Sequence, residues 1–277
     1  MNSFERFKKN GFGYFDYNSS KDCKFFIKKM QNIVKAYYSE PIKNILKWKV
    51  KKFYDTNLKI REEFKYAFGT NINSNTIRLD KFMVTFANIF CKSIKKNIND
   101  YYITSDVSIL FTRPSSLGVD LAPDGEFVDF HRENFYSDAK TINHQINFWV
   151  PIFNVSLLQN FKYVPKSHFI PDDKIILKKE INNFVKKKSS AHQCGINYAP
   201  KRIVGGVEMN KAKRFNVPKG KFLAFDSMLI HGGGINLSKK IRFAISFGIV
   251  PKKITHKFGN PIISRLQTHN WVTPNLN

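Results

Sequence analysis

Residues 241–249 alternate without a break: Ile241, Phe243, Ile245, Phe247 and Ile249 against Arg242, Ala244, Ser246 and Gly248. Side chains two apart on a strand share a face. The segment is therefore a strand with one wholly apolar side, suited to packing against outer helices. Its other side sets an arginine among three small residues. Solvent faces carry longer polar chains, whereas small neighbours leave room for a ligand beside a guanidinium pointing into a cavity.

Shorter runs of the same kind lie upstream. Residues 107–111 read as a strand that stops before Arg113-Pro114, and a Gly/Pro/Asp-rich loop follows to about 125. Further candidates are 127–136, 145–153, 161–164 and 222–225. Several short strands separated by turn signals predict a sandwich or barrel. The first hundred residues read as helical: Phe26, Met30, Ile33, Val34 and Tyr37 recur at helical spacing, as do Leu79, Phe82, Met83, Phe86, Phe90 and Ile94. Pro41 is placed to start another helix through Leu46 and Trp48. Residues 170–200 form an insertion, with a short helix expected near 175–187 and a polar loop after it. The expected class is α+β. One domain spans 1–277, with a helical flank to about 100 and a β core over about 101–255.

Composition narrows the setting. Three cysteines (Cys23, Cys91, Cys194), odd in number and without CxxC spacing, read as reduced thiols of a cytoplasmic protein. No apolar run approaches the roughly 18 residues of a membrane span. Met1-Asn2-Ser3-Phe4-Glu5-Arg6 lacks the apolar stretch of a secretory signal. The net charge of +25 would attract polyanions. Lys, Asn, Ile and Phe are all abundant, however, as an AT-rich coding sequence would give. The lysine pairs are also scattered (Lys8-Lys9, Lys51-Lys52, Lys95-Lys96, Lys252-Lys253), so a solvated basic surface is the expectation, with an anionic-substrate pocket left open.

The chemistry concentrates in two places. Phe130-His131-Arg132-Glu133 sets an imidazole and a carboxylate two residues apart, on one face if the segment is a strand, together with Asp129 and Phe135; Phe130, Arg132 and Tyr136 take the other face. His231 in Ile230-His231-Gly232-Gly233-Gly234 supplies a second imidazole. Two imidazoles and one carboxylate are the ligand set of a facial-triad Fe(II) site, which leaves positions open for substrate and O₂. Arg242, eleven residues after His231, has the planar fork to grip both oxygens of a carboxylate cosubstrate.

These segments resemble the phytanoyl-CoA-dioxygenase-like group of Fe(II)/2-oxoglutarate oxygenases. Ile146-Asn147-Phe148-Trp149-Val150-Pro151 and Tyr163-Val164-Pro165-Lys166-Ser167-His168 also look like blocks of that group, and the likeness covers roughly residues 105–250. The resemblance implies a double-stranded β-helix, or jelly roll. It implies Fe(II) held by His131, Glu133 and His231, the cosubstrate 2-oxoglutarate anchored by Arg242, and O₂ as oxidant. Three departures stand out. Glu133 is the ligand where Asp is commoner. Lys166 stands where Gly is usual. Gly233 replaces a serine that relatives place on the cosubstrate, so another donor must serve, with Asn147, Gln145 and Arg113 as candidates.

His231-Gly232-Gly233-Gly234 also fits an esterase oxyanion hole, but the required GxSxG is missing and only 43 residues follow Gly234, so that reading fails. His168 is expected to order a turn, and His192 beside Cys194 belongs to a loop. Gln193, Asn197 and Tyr198 would line a substrate mouth. The function expected is hydroxylation of a small molecule (a sugar, an amino-acid derivative or a secondary metabolite). The rivals are a nucleic-acid-binding protein or dealkylating dioxygenase on the same fold, for which no binding motif is found, and a non-catalytic metal-binding jelly roll.

Overall fold

The computed structural model describes residues 3–40, 42–45, 50–68, 79–104, 107–112, 114, 130–135, 140–179, 201–232, 236–258 and 271–272. The amino-terminal part runs α1 (Ser3–Asn10), β1 (Phe12–Asp16), α2 (Lys21–Tyr37), α3 (Ile42–Ile45), α4 (Val50–Ala67) and α5 (Asp80–Ser93). The helices are where the apolar stripes put them. Ser20 caps α2 by accepting a hydrogen bond from the Cys23 amide at 3.2 Å, which satisfies one of the helix's orphan donors. The most deeply buried stripe on α2 is Cys23, Ile27, Met30 and Val34, with Phe26, Ile33 and Tyr37 on its shoulder. Pro41 and residues 46–49, expected in the third helix, lie outside the described residues.

The flank is not wholly helical. β1 lies within it and pairs with a strand more than two hundred residues later. Alternation in Phe12-Gly13-Tyr14-Phe15-Asp16 is masked by Gly13 and by the aromatic residues on both sides.

The strands that follow are β2 (Tyr101–Thr104), β3 (Ser108–Thr112), β4 (Ile146–Pro151), β5 (Lys162–Tyr163), β6 (Ile176–Lys179), β7 (Lys201–Gly205), β8 (Lys213–Arg214), β9 (Lys221–Asp226), β10 (His231–Gly232), β11 (Arg242–Pro251) and, after α6 (Lys252–Phe258), β12 (Trp271–Val272). The larger sheet has the order β1-β9-β4-β11, with β3 and β2 along the far edge of β11 and β12 on β2. All these pairs are antiparallel. A smaller sheet, β10-β5-β8, faces it and gains a further member through a bridge between His131 and His231. This is a double-stranded β-helix flanked by helices, in the α+β class.

The two sides of β11 part as their residues require. Phe243 meets Phe64 of α4 edge-on at 6.0 Å, and Phe247 stacks on Phe148 at 4.8 Å and reaches Phe82 of α5. Burying each such side chain contributes about 1.5–3 kcal/mol relative to exposure, so the helices are held by the sheet's outer face. Between the sheets a second cluster gathers Trp149, Phe161, Phe215, Leu223, Phe225 and Ala244. It forms the floor beneath the site.

The insertion departs from expectation. Residues 176–179 are strand, paired antiparallel with β7, and not helix; residues 180–200 lie outside the described residues. Leu177 and Ile203, opposite each other in register, pack against a third cluster of Phe135, Val164, Ile175 and Ile230. That tertiary contact outweighs the local helical tendency of the lysine-rich run.

Candidate metal centre

The segment 127–136, read as a strand, is strand-like only at His131 among its described residues. The amide of His131 donates to the His231 carbonyl at 2.9 Å and the amide of His231 donates back at 3.0 Å. The chain then turns: the Glu133 amide donates to Ser227 O at 3.2 Å, and Phe135 N to Arg132 O at 3.1 Å. Asp129 and Tyr136 are outside the described residues. His131 and Glu133 therefore do not share the face of a strand, and a tight turn rather than the pleat brings Glu133 round. Phe130 and Phe135, assigned to opposite faces, both join the third apolar cluster.

The three side chains nonetheless converge. One ligand atom from each of His131, Glu133 and His231 lies within 4.8 Å of the other two. The imidazole centroids are 4.4 Å apart at 55°, and His231 Nε2 is 3.4 Å from Glu133 Oε1. Both histidines are buried and Glu133 is partly exposed. His231 Nδ1 lies 2.9 Å from Leu229 O. A carbonyl only accepts, so Nδ1 holds the proton and Nε2 presents its lone pair. This is how outer contacts orient a metal-binding imidazole. Two imidazole nitrogens and a carboxylate suit a first-row divalent ion, and the residues fit one.

Arg242 opens β11 on the inner side. Its Nη1 donates to Gln159 O at 2.7 Å and its Nη2 to Thr112 Oγ1 at 2.8 Å, while Nε has no partner among the described residues. Its Cζ stands 5.9 Å from the Phe161 ring centroid. Burial, helped by the nearby Arg214, lowers its pKa to about 10, so it stays charged at neutral pH. Among the described residues no carboxylate pairs with this cation, and such a partly buried charge is well disposed to an anion.

The other candidates separate from it. Asn147 pairs with Gly248, six residues along β11 from Arg242, or about 20 Å at the rise of a strand. Gln145 lies against Gly248, where a Cβ would come within 2.5 Å of its Nε2, and it donates to Asn147 Oδ1. The Asn147 Nδ2 is buried without a partner among the described residues. These two residues stand toward the metal end: Asn147 is the register partner of Phe225, whose ring is 4.7 Å from that of His231. They are not beside Arg242. Arg113 and Gly233 lie outside the described residues, as do His192, Gln193, Cys194, Asn197 and Tyr198.

The hydroxyl that does stand beside Arg242 is Thr112, its register partner on β3. A strand ended at 111 misses it by one residue, although the alternation Ser108, Leu110, Thr112 continues to it. Also missed is Arg132, fully buried between two of the converging residues. Ser246, read as cavity-facing, turns its hydroxyl back to Phe148 O at 3.0 Å. His168 does order a turn: Nε2 donates to Lys8 O at 3.2 Å, and the ring packs on Gly11, where any Cβ would come within 2.6 Å of it. Lys166 adopts φ 61°, a conformation that favours glycine.

No protein-family model matches the sequence, and no curated protein matches it. Solved structures do. The non-heme monooxygenase ThoJ, in its apo form, is 12% identical with a TM-score of 0.50, over 90% of this chain and 77% of that one. SnoK, a non-heme alpha-ketoglutarate-dependent carbocyclase from nogalamycin biosynthesis, is 11% identical with a TM-score of 0.49, over 98% and 95%. EvdO2 from Micromonospora carbonacea var. aurantiaca, complexed with 2-oxoglutarate, is 11% identical with a TM-score of 0.48, over 90% and 89%. At these identities the likeness is one of fold.

Proposed function

We propose that this chain is an Fe(II)- and 2-oxoglutarate-dependent oxygenase of the phytanoyl-CoA-dioxygenase-like group, hydroxylating a small molecule. The observation that carries the reading is the convergence of His131, Glu133 and His231 within 4.8 Å on a double-stranded β-helix. His231 Nε2, one nitrogen of His131 and the Glu133 carboxylate would hold one face of the ion. Arg242, with the Thr112 hydroxyl beside it, grips the far carboxylate of the 2-oxo acid, and the unpartnered Asn147 amide offers a donor nearer the metal. Bound iron would supply the oxidising power for attack on a substrate C–H bond, with O₂ consumed and the 2-oxo acid lost as succinate and CO₂. The protein's part is positioning and the exclusion of water. Phe161, Phe225 and Trp149 make the floor apolar, and Leu110, exposed beside Thr112 on the cavity side of β3, offers a substrate contact.

The same reading takes 1–277 as one working unit, supported by an apolar cluster that runs unbroken from α2, α4 and α5 into β11 and β4. It takes the protein as cytoplasmic, with Cys23 and Cys91 buried as free thiols. No described helix is long and apolar enough to cross a membrane.

The test is aerobic incubation of the iron-loaded protein with 2-oxoglutarate and a metabolite extract. The expected products are succinate and a metabolite heavier by one oxygen. His131→Ala and His231→Ala should each abolish both products while leaving the fold intact. Full iron-dependent turnover in either variant would remove the assignment.

A further inference from the structure

Arg132 has no exposed surface, and its neighbours on either side in the chain are two of the proposed metal ligands. Its Nη1 donates to Asp172 Oδ1 at 2.5 Å; its Nη2 donates to the carbonyls of Ser167 at 2.5 Å and Ile170 at 2.6 Å. Asn134, one residue beyond Glu133, donates from Nδ2 to the other oxygen of Asp172 at 2.9 Å. Asp172 is about half exposed, with 48% of its side chain accessible.

Stability alone does not account for this arrangement. A fully buried guanidinium loses its hydration, and a half-exposed partner returns only part of that loss, so an apolar side chain of similar volume would hold the fold as well or better. What a planar fork does that an apolar group cannot is fix the main chain in several directions at once. Here it meets acceptors at three separate residues, which locks the turn carrying His131 and Glu133 onto the segment 167–172.

Ser167 extends the lock to the third ligand. Its carbonyl accepts from Arg132, and its hydroxyl accepts from the Ile230 amide at 2.8 Å, immediately before His231. One residue thus joins both halves of the site. The turn that delivers Glu133 carries the bonds from the Glu133 amide to Ser227 O and from the Phe135 amide to Arg132 O, and the Arg132 side chain adds three anchors to the segment 167–172.

We propose that Arg132, held by Asp172 and Ser167, is a positioning residue that sets where the Glu133 carboxylate stands relative to the two imidazoles, and so sets metal affinity and coordination geometry. The inference rests on the metal centre proposed above. Lysine in its place keeps the charge but reaches fewer acceptors. Asparagine at 172 keeps the shape of the partner but loses its charge, at a half-exposed position where the fold tolerates it.

The experiment is titration of the metal-free, full-length protein with Co(II) alone, followed by visible absorption, which reports both affinity and ligand geometry. Circular dichroism at the same temperature establishes that each variant is folded. Arg132→Lys and Asp172→Asn should weaken Co(II) binding about ten- to a hundred-fold and shift the absorption band, whereas Asp172→Glu should return affinity to within about threefold of the wild type. Should Arg132→Lys fail to fold, the two changes at 172 decide the matter. Wild-type affinity and an unshifted band in folded Asp172→Asn would overturn the positioning role and leave the metal centre standing. A wild-type protein whose Co(II) response survives His231→Ala would remove the metal centre, and this inference with it.

Discussion

Replacement of Arg242 separates its proposed role as cosubstrate anchor from its structural role. The side chain makes two hydrogen bonds within the protein, to Gln159 O and Thr112 Oγ1, and carries a partly buried charge with no acid to balance it among the described residues. Arg242→Ala removes the cost of burying the cation and also strips a donor from two acceptors. These opposing terms leave the metal-free protein's stability changed by no more than about 1–2 kcal/mol. The proposed binding of 2-oxoglutarate at Arg242 would have no such cancellation. Charge-assisted hydrogen bonds contribute about 1.5–3 kcal/mol each, so losing two weakens binding by at least about a hundred-fold at 1.4 kcal/mol per decade. Loss of the fork in Arg242→Lys, which keeps one such bond, gives about ten-fold or more.

Thermal unfolding in the presence of Mn(II), which fills the site without turnover, reads this directly. At a cosubstrate concentration of about 100 times the wild-type Kd, the bound ligand stabilises by about 2.7 kcal/mol. For a chain of 277 residues the unfolding entropy is about 0.6 kcal/mol/K, so Tm should rise by about 4–5 °C. At the same concentration Arg242→Ala should rise by less than about 1 °C, because a hundred-fold weaker site gains only about 0.4 kcal/mol. An equal rise in wild type, Arg242→Lys and Arg242→Ala would refute the reasoning and turn attention to Arg113.

Two further outcomes follow from local geometry. Lys166 sits at φ 61° and is exposed, so Lys166→Gly should relieve a backbone cost of about 1–2 kcal/mol, offset in part by glycine's greater freedom when unfolded; a small rise in Tm is expected, and a fall would mean the lysine side chain contributes more than its backbone costs. Asp226 has its pKa raised, chiefly by burial, against the lowering influence of the Met228 amide, His168, Arg132 and His144. Its folded state therefore binds a proton more readily than its unfolded state, and its contribution to stability falls as pH rises from the ordinary carboxylate range through the raised value. Asp226→Asn, which keeps the acceptor for Met228 N, should be more stable than wild type above that range and lose the advantage in acid. Parallel stability curves for the two proteins would exclude the effect.

Much of the fold is legible in the chain because its longest strand and its helices show their periods openly. β11 alternates from Arg242 to Ile249, and α5 repeats its phenylalanines at helical spacing. What stayed hidden depends on partners far away in sequence. β1 is aromatic on both faces because one meets the helices and the other meets the smaller sheet, as Phe15 on Phe90 and Phe12 on Phe215 show. β6 reads as helix until β7 and the third apolar cluster are in place. The converging triad was legible by residue type and order, although the pleat invoked for it was not its cause. Arg132 was invisible for a related reason. An arginine between two ligands looks like the solvent side of a strand, and only the turn at Glu133 sends it inward.

The pairing of β1 with β9 bears on how the chain is made. Phe12 finds its partner Phe225 about two hundred residues later, so at a synthesis rate of about 5–20 residues per second the amino-terminal segment waits roughly 10–40 s. For much of that interval the apolar stripes of α2 and α5 have no sheet to cover them, since β4 begins only at Ile146 and β9 and β11 follow later still. The helices that later seal the outer face of the barrel are thus its chief aggregation hazard at birth. Slower translation lengthens their exposure, and a chaperone that holds the first hundred residues would act on the surface that the finished sheet claims.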